Sequence, residues 1–329
     1  MSAEGGTRAI VAALLANLGI AVTKFVAFLV SGSSSMLAES IHSLADSGNQ
    51  VLLIVGGRRA RRAATEEHPF GYGRERYVYA FIVSIVLFSV GGLFSVYEGI
   101  HKIQHPEPIR DAWLPITVLL VAIVLEGLSL RTAVAESNKV RPRDLGWVQF
   151  VRRAKAPELP VVLLEDTAAL VGLVLALFGV GTAVVTGDGV WDGVGTILIG
   201  VLLVVVAVVL GIETKSLLLG EGASPADVAA IEAALSGDGL GRVIHMKTLY
   251  LGPDELLVAA KVAVTQARTG AEIAAAIDAA EARVRAVVPV ARVIYLEPDL
   301  DRDLDPDLDW GARPGRDGYP GATADQEPS

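Results

Sequence analysis

The sequence predicts a membrane all-α bundle of six transmembrane helices followed by a small cytoplasmic α/β domain, and three observations carry that expectation. Six apolar runs, approximately 9–30, 37–56, 78–99, 113–133, 159–184 and 191–213, each approach the roughly 20 residues that a helix needs to cross about 30 Å of hydrocarbon. The chain, 329 residues of which 52% are hydrophobic, has a mean hydropathy of +0.50, too apolar for an ordinary soluble protein of this size. Beyond about residue 220 the long apolar runs stop and short amphipathic segments of soluble character take over.

The division that follows is a transmembrane domain over 1–220, a cytoplasmic domain over 221–299 and an acidic tail over 300–329. No cysteine is present, so disulfides and thiolate metal sites are excluded together, and any metal must be held by His, Asp, Glu or water. The net charge of −9 and the lack of a basic run exclude a nucleic-acid partner. The first apolar run is too long for a signal peptide and lacks a small-residue cleavage site, and is read as a retained span.

Topology follows from Lys and Arg in the short loops. Arg58, Arg59, Arg61, Arg62, Arg74 and Arg76 lie between the second and third runs, and Lys139, Arg141, Arg143, Arg152, Arg153 and Lys155 between the fourth and fifth. The other loops hold only Lys102 and Arg110. The even loops are therefore expected in the cytoplasm, with both termini on the same side, as in a plasma (inner) membrane protein.

The first span carries Asn17 and Lys24; the lysine is expected to snorkel to the interface or to pair with a carboxylate. The second, LAESIHSLADSGNQVLLIVG, is the most informative segment. Glu39, His42 and Asp46 are spaced by three and four residues and share one helix face. Ionisable groups are costly inside a bilayer, so such a row reads as an ion or proton pathway facing the bundle interior. Imidazole and carboxylate ligands suit a borderline divalent ion such as zinc. Hydrogen bonding of His42 and Asp46 to neighbouring helices is the competing reading.

In the deduced orientation Asp46 lies roughly 14 Å below the outer edge of the second span, and Asp166 roughly 10 Å above the inner edge of the fifth, at 1.5 Å per residue. The two carboxylates thus reach similar depth and could share one ion. Glu165 and Asp166 point about 100° apart on their helix, so one of them faces Asp46; Asp166 is preferred. Glu126, deep in the fourth span, is a candidate proton relay, and Glu98 lies near the outer loop.

The cytoplasmic segment reads as helix 225–236, strand 241–249, strand 255–264, helix 270–287 and strand 291–297, a ferredoxin-like αββαβ order. Ser224-Pro225 opens its first helix and Gly252-Pro253-Asp254 turns between its first two strands. Residues 300–329, rich in Asp, Pro and Gly, are expected to be disordered.

Taken together, AESIHSLAD in the second span, HPFGYGRERY at 68–77 opening the third, six spans and an αββαβ domain resemble the cation diffusion facilitator family of metal transporters over residues 8–299. The resemblance implies a homodimer joined through the cytoplasmic domain, exchanging a divalent cation, most often zinc, for protons. It places His42, Asp46 and Asp166 at the mid-membrane metal site, and the fourth ligand position is left to Glu165, Glu39 or water. One position departs from the family pattern: where the fifth helix usually has a His or Asp four residues before its aspartate, this chain has Val162. The LLEDTAAL stretch itself resembles a divergent subgroup. Ligands richer in oxygen than nitrogen would also accept manganese, iron or cobalt.

The cytoplasmic domain has only His245, with Tyr295 where the family commonly has histidine, so dimerisation without a metal cluster is expected there. His68, beside Glu66 and Glu67, is a candidate loop metal site, although HPFGYGR also suits a turn. His101 and His105 lie on the outer loop. No resident cofactor is expected; the metal is cargo. The mechanism implied is competition of protons and metal for one set of ligand atoms, with the site facing each side in turn. A membrane metalloenzyme lacks support, since no HExxH or comparable motif occurs. A metal-binding membrane regulator without transport stays open.

Overall fold

The computed structural model describes residues 3–143, 145–237, 239–264 and 269–300, with backbone alone for 3–16. The chain divides into two compact units, one reaching to Gly222 and including Leu249–Leu256, the other formed by Ala223–Thr248 and the chain from Leu257 onward. The acidic tail expected over 300–329 lies, beyond Leu300, outside the described residues.

The first unit is a helical bundle: α1 (Ala3–Ser31), α2 (Ser34–Arg59), α3 (Glu75–Val86), a π-helical segment (Leu87–Leu93), α4 (Phe94–Gln104), α5 (Trp113–Val140), α6 (Trp147–Arg153), α7 (Glu158–Thr186) and α8 (Val190–Leu219). Among the described residues, four helices are long and apolar enough to cross a membrane: Glu75–Gln104, which runs unbroken through α3, the π segment and α4, together with α5, α7 and α8. The described part of α1, Asn17–Ser31, is apolar but shorter. Helix α2 is of spanning length, yet its sequence is diluted by the polar residues that become its buried face. The short α6 in the loop between α5 and α7 carries no spanning signal and was not anticipated.

Close backbone approach sets the bundle's packing. A Cβ at Gly92 would come within 2.7 Å of Val204, and one at Gly200 within 2.7 Å of the Val96 backbone nitrogen, so the π segment and α4 can lie on α8 only because these positions are glycine. Gly179 and Gly195 play the same part between α7 and α8. Arg76, at the start of α3, pairs with Glu158 at the start of α7. The HPFGYGR stretch forms the turn ahead of α3: Gly71 has φ +74°, its N–H donates to the His68 carbonyl, and the Arg62 guanidinium lies over the Tyr72 ring.

The start of α2 is held by a residue far along the chain. Ser33 is its N-cap, and the buried Asp192 carboxylate on α8 accepts from the Ser33 hydroxyl (2.9 Å), the Ser34 N–H (2.7 Å) and the Ser35 N–H (3.3 Å). Thr196 bridges the Ser34 and Ser35 hydroxyls at 2.9 and 3.0 Å. A carboxylate here satisfies free N–H groups of a helix N-terminus and matches its dipole. The GSSS segment therefore ties α2 to α8.

The second unit contains α9 (Pro225–Leu235), α10 (Gly270–Val287), strand β3 (Val293–Leu300) and most of strands β1 (Leu240–Gly252) and β2 (Glu255–Val264), whose adjoining ends fall in Leu249–Leu256. Ser224 caps α9, and Thr269 with Glu272 forms a capping box on α10. The sheet order is β1-β2-β3, with β2 and β3 parallel in the register Val258 to Ile294 and Val262 to Pro298. Val258, Ala260 and Val262 alternate onto the buried face, where Ile231, Leu235, Ala276, Ala280 and Val284 of the helices are also buried. The αββαβ order is as read from the sequence. Because β3 lies directly beside β2, the likeness to a ferredoxin-like domain stops at element order: no strand is inserted between the parallel pair.

Replacing Asp192 with Ala leaves buried N–H groups without an acceptor, and is expected to destabilise the purified protein by about 1–3 kcal/mol. Thermal unfolding in detergent measures this; an unchanged midpoint would contradict the capping role.

Candidate metal site

The polar stripe of α2 runs down the helix at three- and four-residue steps, through Glu39, His42, Ser43, Asp46 and Asn49, and all are buried except Asp46, which is partly so. Its neighbours each meet a different part of it. From α1, the fully buried Lys24 ammonium lies 3.0 Å from the Glu39 carboxylate and donates to the Ser43 hydroxyl at 2.8 Å. Lys24 therefore does not snorkel; it pairs inside the bundle. The other Glu39 oxygen points at α7, where only the absence of a side chain at Gly172 makes room: a Cβ there would stand 2.9 Å from it.

His42 stands one turn further along, its Nδ1 3.5 Å from an Asp46 carboxylate oxygen and close to Gly91 of the π segment. Neither ring nitrogen of His42, nor that Asp46 oxygen, has a hydrogen-bond partner among the described residues. Such unpartnered polar atoms in a buried setting are costly unless a guest satisfies them.

Asp46 also lines a cavity of about 290 Å³, whose wall includes Asn17 of α1, Gln50 of α2, Glu126 and Ser129 of α5 and Asp166 of α7. The Ser129 hydroxyl donates to Asp166 at 2.8 Å, and the Asn17 amide to Gln50 at 3.2 Å. Three carboxylates, two amides and two hydroxyls, counting Ser43, thus surround one space. Glu165 is not among the residues lining it; it is buried, and the Asn49 amide donates to it at 2.7 Å. The 100° step between Glu165 and Asp166 thus sends one to α2 lower down and the other into the cavity.

The sequence-derived candidates sort accordingly. Asp46, Asp166 and Glu126 meet around one cavity, and His42 stands beside Asp46. Of the two expected as a fourth ligand, Glu39 pairs through one oxygen with Lys24, and Glu165 accepts from the Asn49 amide. Among the described residues no three His, Asp or Glu side chains converge closely enough to hold a metal ion directly. Val162, the position that departs from the family pattern, packs against the bundle's hydrophobic core. His68 is exposed in its loop, its ring edge-on to Tyr72 at 4.6 Å between centroids. His101 and His105 are exposed at the end of α4. His245 shares a shallow surface cavity of about 350 Å³ with Tyr295 and Lys261, whose ammonium is pushed above the usual lysine range by its hydrogen bonds to Glu297 and Asp299. Sequence reasoning passed over Ser43, Asn49, Gln50 and Ser129; the first three continue the α2 stripe at helical spacing, and that periodicity was the available signal.

The family model for the cation efflux transmembrane domain matches residues 10–219. The chain belongs to the cation efflux family. This is the cation diffusion facilitator membership that the HxxxD and HPFGYGR segments imply, and it makes the chain an integral membrane protein of a cation-transporting family. Among relatives, the proton-coupled zinc antiporter SLC30A9, mitochondrial, of Homo sapiens is 33% identical over 231 residues, which cover 70% of this chain and 41% of that protein. Metal tolerance protein C4 of Arabidopsis thaliana is 29% identical over 248 residues, 75% of this chain and 54% of that protein. Magnetosome protein MamM of Paramagnetospirillum magneticum matches 99 residues at 28% identity, covering 28% of this chain and 31% of that protein. The chain thus spans about half or less of the length of these relatives. In this member of the cation efflux family, the carboxylate-lined cavity lies inside the region that the family model covers.

Removing Lys24 alone strands a buried carboxylate, so Lys24→Ala is expected to cost about 3–5 kcal/mol of stability, whereas Lys24→Met combined with Glu39→Gln recovers most of it. Denaturation midpoints of the three proteins decide this. Equal midpoints for Lys24→Ala and wild type would mean that the pair is not held in the membrane core.

Proposed function

We propose that this cation efflux family member exports a divalent cation in exchange for protons, with zinc as the first choice of cargo, from a mid-membrane site built on Asp46 and Asp166 with His42 beside them. The observation that carries the reading is that these two aspartates, on α2 and α7, line one cavity together. The zinc antiporter named among the relatives supports the choice of ion and of counter-ion.

The coupling needs no separate device. A ligand atom that holds a proton cannot hold a metal, so a cation entering the cavity displaces protons from Asp46, Asp166 and His42, and protons arriving from the other side displace the cation. Glu126, on the same cavity wall, is placed to receive or deliver those protons. Alternating exposure of the site by movement of the helices against one another turns this competition into exchange. In this reading the chain has six spans with both termini in the cytoplasm, lies in a plasma (inner) membrane, and forms a homodimer through its C-terminal unit. It performs no covalent chemistry.

A second reading concerns the ion. The cavity wall is made of carboxylate, amide and hydroxyl groups, with His42 reaching it only through Asp46, and an oxygen-rich set of this kind suits manganese, iron or cobalt as well as zinc. Binding without transport, as in a metal-responsive regulator, is the remaining alternative, and flux separates it from both.

Reconstituted vesicles test the proposal. Wild type is expected to move zinc against protons, with lumenal pH changing in step; Asp46→Ala and Asp166→Ala lower flux at least tenfold, and Glu165→Gln retains most of it. Metal binding with no flux in wild type would favour the regulator. Full flux in Asp166→Ala would remove α7 from the site. Introducing an imidazole on the same face, Val162→His, is expected to tighten zinc binding, and unchanged affinity would count against Asp166 facing the cation.

A further inference from the structure

At the end of the bundle where α5 stops and α7 starts, α6 shields an apolar groove of about 720 Å³. Its walls include Val134 of α5, Trp147 and Val148 of α6, Leu164 of α7 and Ile212 of α8. Val148 is 73% and Ile212 61% exposed, so large apolar side chains here have little cover from the described residues. The rim is different in character. Arg152 stands at the mouth with its side chain 72% exposed, 3.5 Å from Glu213, and Arg153 beside it is exposed. The Arg141 guanidinium is held over the Trp147 ring at 4.3 Å while donating to Asn138 and to the Leu145 carbonyl. Within the lining Glu213 balances Arg152, and positive charge around the mouth comes from the exposed Arg153 next in the chain and from Arg141 over Trp147.

An apolar slot between membrane helices with a tryptophan and arginines at one end has the layout of a lipid: hydrocarbon below, headgroup above. The geometry points to a bound anionic phospholipid of the cytoplasmic leaflet, one acyl chain in the groove and its phosphate at Arg152 and Arg153. The side is cytoplasmic because α6 sits in one of the two arginine-rich loops. Basic residues at that level attract anionic headgroups, and an arginine's fork matches two phosphate oxygens at once. A second copy of the chain is the poorer occupant. A two-fold interface through this face would have to bury the exposed Arg152 and Arg153 side chains, a desolvation cost that an anionic headgroup at the membrane surface avoids. The lipid would brace α6 and the start of α7, the helix that carries Asp166.

The experiment is native mass spectrometry of the full chain released from nanodiscs holding equal phosphatidylglycerol and phosphatidylcholine. Wild type is expected to retain phosphatidylglycerol preferentially, and each arginine removed, in Arg152→Ala and Arg153→Ala, lowers that preference roughly fivefold. Filling the groove with Val134→Trp is expected to reduce retention of both lipids. Equal retention of the two lipids by wild type, or an unchanged preference when both arginines are removed, overturns the assignment. So does efficient disulfide formation between copies through Val148→Cys, which would put a second chain on this face. Lipid mass is read without metal flux, so the result stands or falls apart from the transport proposal.

Discussion

A lysine and a glutamate buried together in an apolar bundle set the terms for everything around them. Lys24 and Glu39 are 1% and 0% exposed, and neither charge could remain there without the other. Their pairing joins α1 to α2, recruits the Ser43 hydroxyl, and presses the free Glu39 oxygen against α7 at a glycine. It also removes Glu39 from the set of available anions. The next carboxylates on the path, Asp46, Glu126 and Asp166, have no fixed cation among the residues that line their cavity. Three carboxylates around one space favour protons or a positive guest there, and the proposed exchange uses both states.

The same helix is anchored at its start by a different device. Asp192 accepts hydrogen bonds from the first turn of α2, and α8, which carries Asp192, is in turn seated on the π segment, α4 and α7 through glycines. The residues of α2 that face the cavity thus hang from a capped end. The π segment brings Gly91 next to His42, at a point where π-helical turns often accompany functional sites. Position and chemistry of the site are consequences of small residues elsewhere: a side chain at Gly172 would displace Glu39.

Much of this could be read from residue order alone, because hydrophobic length and helical spacing act locally. The apolar runs located the helices but fell short of several ends, as at 113–133 for Trp113–Val140, and the three- and four-residue spacing of Glu39, His42 and Asp46 predicted their common face. The αββαβ order followed from turn and capping residues such as Ser224 and the Pro253-Asp254 pair. What escaped depends on contacts between distant segments. Nothing near Glu39 says that Lys24 will pair with it, and nothing near Glu165 says that Asn49 will donate to it, because spacing reports direction and not partner. The capping by Asp192 joins residues far apart in sequence, and α6 is too short to leave a periodic signature. Gly91-Gly92 was visible, but its π-helical geometry arises from packing on α8.

The claim on which the transport reading turns is that Asp46 and Asp166 can grip one cation between them. The chain contains no cysteine, so the double replacement Asp46→Cys with Asp166→Cys introduces the only two thiols in the protein. Cadmium prefers thiolate ligands. X-ray absorption at the cadmium edge is expected to find two sulfur atoms on each bound ion; one sulfur per ion, or no cadmium retained at all, would contradict a shared site.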